Sequence, residues 1–233
     1  YFSDHVYISE YKDGKWNDGE IIPYGPIPTE PAMCTLHYGQ TIFEGLKAFR
    51  AVDGGINVFR PEKNANRLNT SGKLVCIPPF DVNHFLEGLT KLIQIDNKWV
   101  PSQRGHSLYI RPLVYGDGNF LGVHSSPTFK LIIMTSPVAS YYPEGLAPVK
   151  ILVAKDFVRA VRGGLGSAKT AANYAASLLA GDTAKKAGYS QVLWLDAVNR
   201  HFVDEVGAMN IMFVINDELV TPPLDSGTIL RGV

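Results

Sequence analysis

Along this chain, stretches whose sequence is typical of β-strands outnumber those typical of α-helices. Two consecutive helical stretches lie between groups of strand-like stretches. Residues 4–11 are rich in strand-forming side chains, and residues 107–115 and 129–135 are apolar runs of strand length. Between them, Pro61 occupies the first position of one expected helix, and Asp81 stands where it can cap a second. Strands, then two helices, then strands predict an α+β fold.

Short turn signals and a further helical pattern complete the expected elements. The sequence Lys-Asp-Gly-Lys at residues 12–15 predicts a tight turn, and residues 46–59 carry a hairpin signal. A helix is expected from about residue 170 to residue 186, with Gly188 as its stop. Further expected elements are strands over 149–154, 191–195 and 209–215, a turn at Asn216-Asp217 into residues 218–221, and the start of a helix over 226–233.

A change of composition divides the chain. Residues 141–148 combine tyrosine, proline and glycine in the manner of a linker. We therefore expect a small α+β domain over residues 1–141 and the beginning of a second domain over residues 142–233.

Charge and cysteine content exclude several classes of function. The chain has 22 basic and 22 acidic residues among 233, so no excess of positive charge exists to neutralise nucleic-acid phosphates. Cys34 and Cys76 indicate two reduced thiols in a cytoplasmic protein rather than a disulfide framework or a metal site. No apolar run has the length of a membrane span, and no signal peptide opens the chain. Since the chain begins at Tyr1 and ends at Val233, we expect it to be trimmed at both ends.

Lys169 is an unusual lysine. Its neighbours on both sides, over residues 163–175, are small or uncharged, and Arg162 is the nearest charged residue. Small neighbours let a flat group approach the backbone, and a lysine without charged neighbours is a candidate for an amine with a tuned pKa. The alternative is an exposed lysine at a helix start.

Three more features could bind an anion or a ring nitrogen. Glu205 lies between a turn and an apolar strand, where a buried carboxylate could hold a protonated pyridine nitrogen, or where it could simply be solvated. Residues 226–233 offer small residues and backbone donors suited to a phosphate. Arg67 could add a guanidinium to the same phosphate, or could be a surface arginine.

Tyrosines and an arginine mark a candidate pocket. Tyr38, Tyr109 and Tyr141 each stand at or near the end of an expected strand. Arg111, two residues after Tyr109, shares its face of the strand. An arginine within an apolar strand needs an anion, which could be a substrate carboxylate or a structural Asp or Glu.

Several motifs, in chain order, are similar to those of one family. They are Leu-His-Tyr at 36–38, Phe-Glu-Gly-Leu-Lys-Ala-Phe at 43–49, Leu-Tyr-Ile-Arg-Pro at 108–112, Lys169 with Asn173-Tyr174, Gln-Val-Leu-Trp-Leu at 191–195, Glu-Val-Gly-Ala-Met-Asn at 205–210 and Leu-Val-Thr-Pro-Pro-Leu at 219–224. With them the whole chain resembles the branched-chain amino acid aminotransferases, which are fold-type IV enzymes that use pyridoxal 5′-phosphate (PLP). The resemblance implies a two-domain, D-amino acid aminotransferase-like fold whose large cofactor-binding domain, starting at residue 142, is incomplete.

The resemblance also implies a role for each matching residue. Lys169 would form the Schiff base with PLP and move a proton at the substrate Cα. The remaining cofactor contacts would be Tyr174 at the phenolic oxygen, Glu205 at the pyridine nitrogen, and Arg67, Leu230 and Val233 at the phosphate. The substrate contacts would be Tyr38, Phe43, Tyr109, Arg111, Tyr141 and the backbone of Ala208, which replaces a threonine common in the family, with Leu121 and Val123 entering the pocket of a neighbouring subunit.

The implied activity is transfer of the amino group between L-leucine, L-isoleucine or L-valine and 2-oxoglutarate, by a homodimer or an assembly of dimers. Arg111 and Tyr38 would receive the distal carboxylate of glutamate. The alternatives are a D-amino acid aminotransferase or an aminodeoxychorismate lyase of the same fold, and a non-catalytic protein that binds PLP or an amino acid.

Overall fold

The computed structural model describes residues 1–139 and 147–233. The chain divides into two compact units, residues 1–145 and residues 146–233. The expected domain boundary between residues 141 and 142 falls outside the described residues, as does Tyr141, and both expectations stay predictions.

The first unit contains most of the strands and three of the helices. Its elements in chain order are β1 (His5–Lys12), β2 (Lys15–Trp16), β3 (Glu20–Pro23), α1 (Cys34–Tyr38), β4 (Thr41–Phe43), β5 (Leu46–Arg50), β6 (Ile56–Val58), α2 (Pro61–Lys73), α3 (Val82–Ile95), β7 (Ser107–Gly116) and β8 (Phe129–Val138). The strands form one eight-stranded antiparallel sheet in the order β2-β1-β8-β7-β5-β6, with β3 beside β1 and β4 beside β7. Both expected hairpins, at residues 12–15 and 46–59, are confirmed.

One face of this sheet packs against helices, and the other carries polar side chains beside a second, smaller apolar cluster. The alternation along β5 and β7 sends Leu46, Leu108 and Ile110 into the core, where they join the apolar side of α3. Lys47 and Arg111 stand on the opposite face and are only partly buried. The period-2 alternation therefore fixes the face on which polar chemistry can occur.

The second unit begins with a βαβ arrangement. Its elements are β9 (Ile151–Val153), α4 (Ala171–Lys186), β10 (Gln191–Leu195), β11 (Val203–Val206), β12 (Phe213–Ile215) and β13 (Glu218–Val220). β9 and β10 are parallel, β11 is antiparallel to β10, and β12 and β13 form a separate hairpin. A small apolar cluster joins helix and sheet, and its buried members are Ala154, Ala180, Ala184, Val192 and Trp194.

The α+β class is confirmed, and so are both helix starts and the helix near residue 170. Pro61 is the first residue of α2, Asp81 caps α3, and α4 begins at Ala171. Asn216 and Asp217 both have positive φ, at 51° and 64°, as a two-residue hairpin turn requires. Within the described residues, no helix is both long enough and apolar enough to cross a bilayer.

Three local expectations were wrong. Tyr38 ends the short helix α1 instead of a strand, because Gly39 adopts the left-handed conformation that closes a helix. The strand expected over residues 209–215 covers only Phe213–Ile215, since Val206 and Met209 bond to each other across a tight turn. Residues 226–233 form no helix, and the φ of +72° at Gly227 departs from helical geometry.

The cap of α3 gives a test of the first unit. Asp81 Oδ1 accepts hydrogen bonds from the backbone N–H groups of Asn83, at 2.7 Å, and His84, at 3.2 Å. We expect Asp81→Ala to lower the free energy of unfolding by about 1 kcal/mol, measured by urea titration. Asp81→Asn is the control, since asparagine also caps, and equal losses in both variants would contradict the assignment.

Candidate active site

Lys169 lies in a loop that the following helix holds in place. Its Nζ donates a hydrogen bond to Tyr174 Oη at 2.7 Å and lies 5.1 Å from the centre of that ring. The side-chain amide of Asn173 donates to the carbonyl oxygens of Leu165 and Ala168, at 2.7 and 2.9 Å. Lys169 is partly buried, so the alternative of a fully exposed lysine does not hold.

Gly166 brings this loop against the terminal segment of the chain. A Cβ at this position would lie 2.6 Å from the Cβ of Ala160 and still closer to the carbonyl oxygen of Thr228. Only a residue without a side chain fits there. The loop that carries Lys169 therefore packs directly against the segment in which we expect the phosphate contacts.

Glu205 is a buried carboxylate on β11, and its residue is only 5% exposed. Arg159 Nε lies 3.1 Å from its Oε2, and the side-chain amide of Asn210 donates to its Oε1 at 3.0 Å. Burial raises the pKa of Glu205, and the positive charge of Arg159 is the largest influence lowering it. The alternative of a solvated turn glutamate is therefore wrong.

Arg159 was not among the residues expected from the sequence. Its guanidinium pairs with Glu205 and also donates from Nη2 to the carbonyl oxygen of Thr228. Although Arg159 Nε is within ion-pair distance of Glu205, it makes no hydrogen bond of good geometry with any described residue. The sequence signal was present, because Arg159 interrupts the apolar run Phe-Val-Arg-Ala-Val at residues 157–161 in the same way that Arg111 interrupts its strand.

Asn210 links the buried carboxylate to the end of the chain. Besides Glu205, its side-chain amide donates to the carbonyl oxygen of Leu230 at 3.0 Å. Val233 lies at a neighbouring cavity of about 430 Å³, and Ala208 is exposed in the tight turn between Val206 and Met209. The contacts expected of Leu230, Val233 and Ala208 with a ligand stay predictions.

In the first unit, Arg111 is surrounded by aromatic rings. Its Nη2 donates to Tyr109 Oη at 2.8 Å, and its guanidinium carbon lies 4.6 Å from the ring centre of Phe43 and 5.3 Å from that of Tyr109. Its buried Nε has no hydrogen-bond partner, and no carboxylate in the described part of the chain pairs with it. Of the two anions considered for Arg111, the structural Asp or Glu is thus not found among residues 1–139 and 147–233.

Arg67 is held by a second buried carboxylate. Its Nε and Nη2 donate to the two carboxylate oxygens of Glu44, at 2.6 and 2.8 Å, and Asn64 donates to the same group at 2.9 Å. Arg67 is therefore a partly buried, oriented arginine and not a surface residue. Neither Glu44 nor Asn64 was expected from the sequence, although a glutamate inside Ile-Phe-Glu-Gly-Leu is the corresponding signal.

Tyr38 supports the loop that carries Leu121 and Val123. Tyr38 Oη donates to the carbonyl oxygen of Leu121, whereas the side chains of Leu121 and Val123 are 68% and 87% exposed. The expected residues are divided between the two units: the first contains Tyr38, Phe43, Arg67, Tyr109, Arg111, Leu121 and Val123, and the second contains Lys169, Tyr174, Glu205, Ala208, Leu230 and Val233.

Comparison with known proteins assigns the family. The family model described as amino-transferase class IV matches residues 41–233. The chain belongs to this family. The resemblance inferred from the motifs is thereby confirmed at the level of the family.

Named members of the amino-transferase class IV family align along the whole chain. Branched-chain-amino-acid aminotransferase 2 and branched-chain-amino-acid transaminase 1 of Bacillus subtilis (strain 168) are 53% and 50% identical over 100% of this chain. The chain spans 64% and 66% of the lengths of those two relatives. The crystal structure of the Escherichia coli branched-chain amino acid aminotransferase superposes with a TM-score of 0.81 at 26% identity, covering 99% of this chain and 71% of that one. That likeness confirms the expected fold type.

The ion pair of Arg159 with Glu205 can be tested by removing one charge. We expect Arg159→Met to lower the free energy of unfolding at neutral pH by about 3 kcal/mol, because it leaves a buried carboxylate without its cation. Adding Glu205→Gln removes the uncompensated charge and should restore part of the loss. A double variant less stable than Arg159→Met would contradict the pairing.

The same variant has a predictable pH dependence. Without Arg159, the pKa of Glu205 rises further above its unfolded value, so the folded state holds a proton that the unfolded state releases. Stability then falls as the pH rises from the unfolded pKa to the folded one. The deficit of Arg159→Met relative to the wild type should therefore be smaller at about pH 5 than at about pH 8.

Proposed function

We propose that the protein is a PLP-dependent transaminase that exchanges the amino group between branched-chain L-amino acids and 2-oxoglutarate. The observation that carries the proposal is the arrangement in the second unit, where Lys169 Nζ lies 2.7 Å from Tyr174 Oη beside a buried glutamate that an arginine neutralises. The names of the two Bacillus subtilis relatives support the substrate class.

The residues present fit PLP on chemical grounds. The cofactor has an aldehyde, a phenolic oxygen and a pyridine nitrogen, and the second unit offers an amine, a phenol and a carboxylate in Lys169, Tyr174 and Glu205. Its phosphate would be bound by Arg67 and by the backbone near Leu230 and Val233. When bound, PLP supplies an aldehyde that captures amino groups and a ring that withdraws electrons from the amino acid Cα.

Lys169 would move the proton. Its amine donates a hydrogen bond to Tyr174 on α4, and Asn173 holds the loop at two carbonyl oxygens, so the position of Nζ is directed. We assign to Nζ both the covalent attachment of the cofactor and the removal and return of the proton at the substrate Cα.

Glu205 would accept a hydrogen bond from the protonated ring nitrogen. The ionised carboxylate forms the charge-assisted bond that holds the ring nitrogen protonated, and burial opposes ionisation by raising the pKa of Glu205. The charge of Arg159 opposes that effect. Arg159 thus favours the ionised form of Glu205 that the proposed contact uses.

The first unit would select the substrate. Phe43 and Tyr109 offer aromatic surface to a branched aliphatic side chain, and Arg111 offers a guanidinium to the distal carboxylate of glutamate. Tyr38, Tyr141 and Ala208 complete the proposed substrate contacts. One pocket with apolar walls and a single cationic group can accept both substrate classes in turn.

We further propose a homodimer, in which the exposed side chains of Leu121 and Val123 enter the site of the partner subunit.

We also propose a location in the cytoplasm, where thiols remain reduced. Two free cysteines, the buried Cys34 and the exposed Cys76, support it.

Replacement of Lys169 tests the central assignment. In the intact protein supplied with PLP, we expect Lys169→Ala to reduce glutamate formation from L-leucine and 2-oxoglutarate by more than about 10³-fold, because Nζ is the group assigned to move the proton. Lys185→Ala, at an exposed position in the last turn of α4, is the matched control and should leave the rate unchanged.

Two outcomes would change the assignment. Normal turnover by Lys169→Ala would remove Lys169 from the mechanism. A wild-type protein that uses D-alanine in preference to L-leucine would instead be a D-amino acid aminotransferase, and one that binds PLP without turnover of either would be a binding protein.

A further inference from the structure

Gly45 lies directly across from Arg111 between two paired segments. β7 pairs with β4 through Phe43 and Leu113, and with β5 through Leu46 and Ile110. Residues 44 and 45, between β4 and β5, lie opposite residues 111 and 112 of β7 in the same register. Gly45 therefore faces Arg111, and Glu44 faces Pro112. The backbone N–H of Glu44 indeed donates to the carbonyl oxygen of Pro112 at 2.9 Å.

The space beside Gly45 is filled by Tyr109. A Cβ at position 45 would point to the face that carries Arg111 and Tyr109, and it would lie 3.0 Å from Tyr109 Cζ and closer still to Tyr109 Oη. The φ of Gly45 is not positive, so its backbone conformation is open to any residue. Glycine is required here for space and not for backbone freedom.

Tyr109 in turn sets the position of Arg111. Its hydroxyl accepts the hydrogen bond from Arg111 Nη2 at 2.8 Å, and its ring and that of Phe43 lie against the guanidinium. A shift of the Tyr109 ring away from position 45 would carry the hydroxyl with it. Arg111 would then lose either its hydrogen bond or its stacking.

The backbone at position 45 cannot easily withdraw to make room for a side chain. Glu44 is fully buried, and its carboxylate is held by Arg67 and Asn64. The same carboxylate also accepts the backbone N–H of Gly45 at 3.2 Å. An added side chain at position 45 would therefore displace the ring and not the strand.

We propose that Gly45 is a positioning residue that determines acceptance of the dicarboxylic substrate. Because Gly45 has no side chain, the Tyr109 ring can occupy the adjacent space. The Tyr109 hydroxyl then holds Arg111 in a position where the guanidinium can bind the distal carboxylate of the substrate. L-Leucine has no distal carboxylate, so its use depends much less on this arrangement. The inference rests on the proposed transaminase function.

The experiment compares two amino donors in the intact, PLP-loaded protein. We expect Gly45→Ala to lower kcat/KM for L-glutamate about tenfold, chiefly through KM, and kcat/KM for L-leucine by less than about threefold. Gly25→Ala is the matched control, since that glycine has ordinary φ and no atom near a new Cβ, and it should change neither value. Equal losses for both donors, or none, would overturn the inference.

Removal of the Tyr109 hydroxyl provides a second test of the inference. Tyr109→Phe deletes the atom closest to the new Cβ, so adding Gly45→Ala to Tyr109→Phe should change the ratio of the two kcat/KM values by less than about twofold. A change as large as that in the wild-type background would show that position 45 acts through another group.

Melting of the cofactor-free protein provides a readout independent of turnover. Gly45→Ala should lower the Tm more in the wild-type background than in Tyr109→Phe. If Gly45→Ala folds only together with Tyr109→Phe, the steric link is supported; if it folds in neither, the inference is wrong. Absence of L-leucine turnover in the wild type would defeat the proposed function itself, before any variant is compared.

Discussion

Glu44 and Glu205 are buried in the two units, and the cost of burying each carboxylate sets the arrangement around it. An ionised carboxylate removed from water is tolerated only with an opposite charge and hydrogen bonds that satisfy its oxygens. Glu44 has Arg67 and Asn64, and Glu205 has Arg159 and Asn210. Each arginine is thereby fixed in orientation. Each buried acid thus fixes the position of one arginine within its own unit.

Arg111 shows that burying a cation is constrained in the same way as burying a carboxylate. Like Arg159, it interrupts an otherwise apolar part of the chain, but its neighbours are aromatic rings and a phenol instead of a carboxylate. Arg67 and Arg159 have carboxylate partners, whereas Arg111 has none among residues 1–139 and 147–233, and this difference separates a structural ion pair from a candidate anion-binding arginine. The sequence alone carries no such distinction between Arg111 and Arg159, since both interrupt apolar runs.

The structural features that could be predicted from the sequence are those determined by residues close together in the chain. The cap at Asp81, the turn at Asn216-Asp217 and the helix after Thr170 depend on neighbours a few residues away. The pairs Arg159–Glu205 and Arg67–Glu44 join residues 46 and 23 positions apart, and only the tertiary fold decides them. Tyr38 was misplaced because Gly39 can end a helix as readily as it can follow a strand.

The part of the second unit that this chain contains, residues 147–233, has a small apolar interior, and a bound ligand would add to its packing. α4 buries only Ala180 and Ala184, and its Leu178 and Leu179 remain 70% and 63% exposed, whereas the first unit packs a full helix pair on its sheet. Small buried side chains contribute little to folding free energy. A molecule held by Lys169, Tyr174 and Glu205 would add binding energy to a weakly packed unit. Ligand and protein interior would then be parts of one cooperative structure, and loss of the ligand would loosen the elements that carry Lys169.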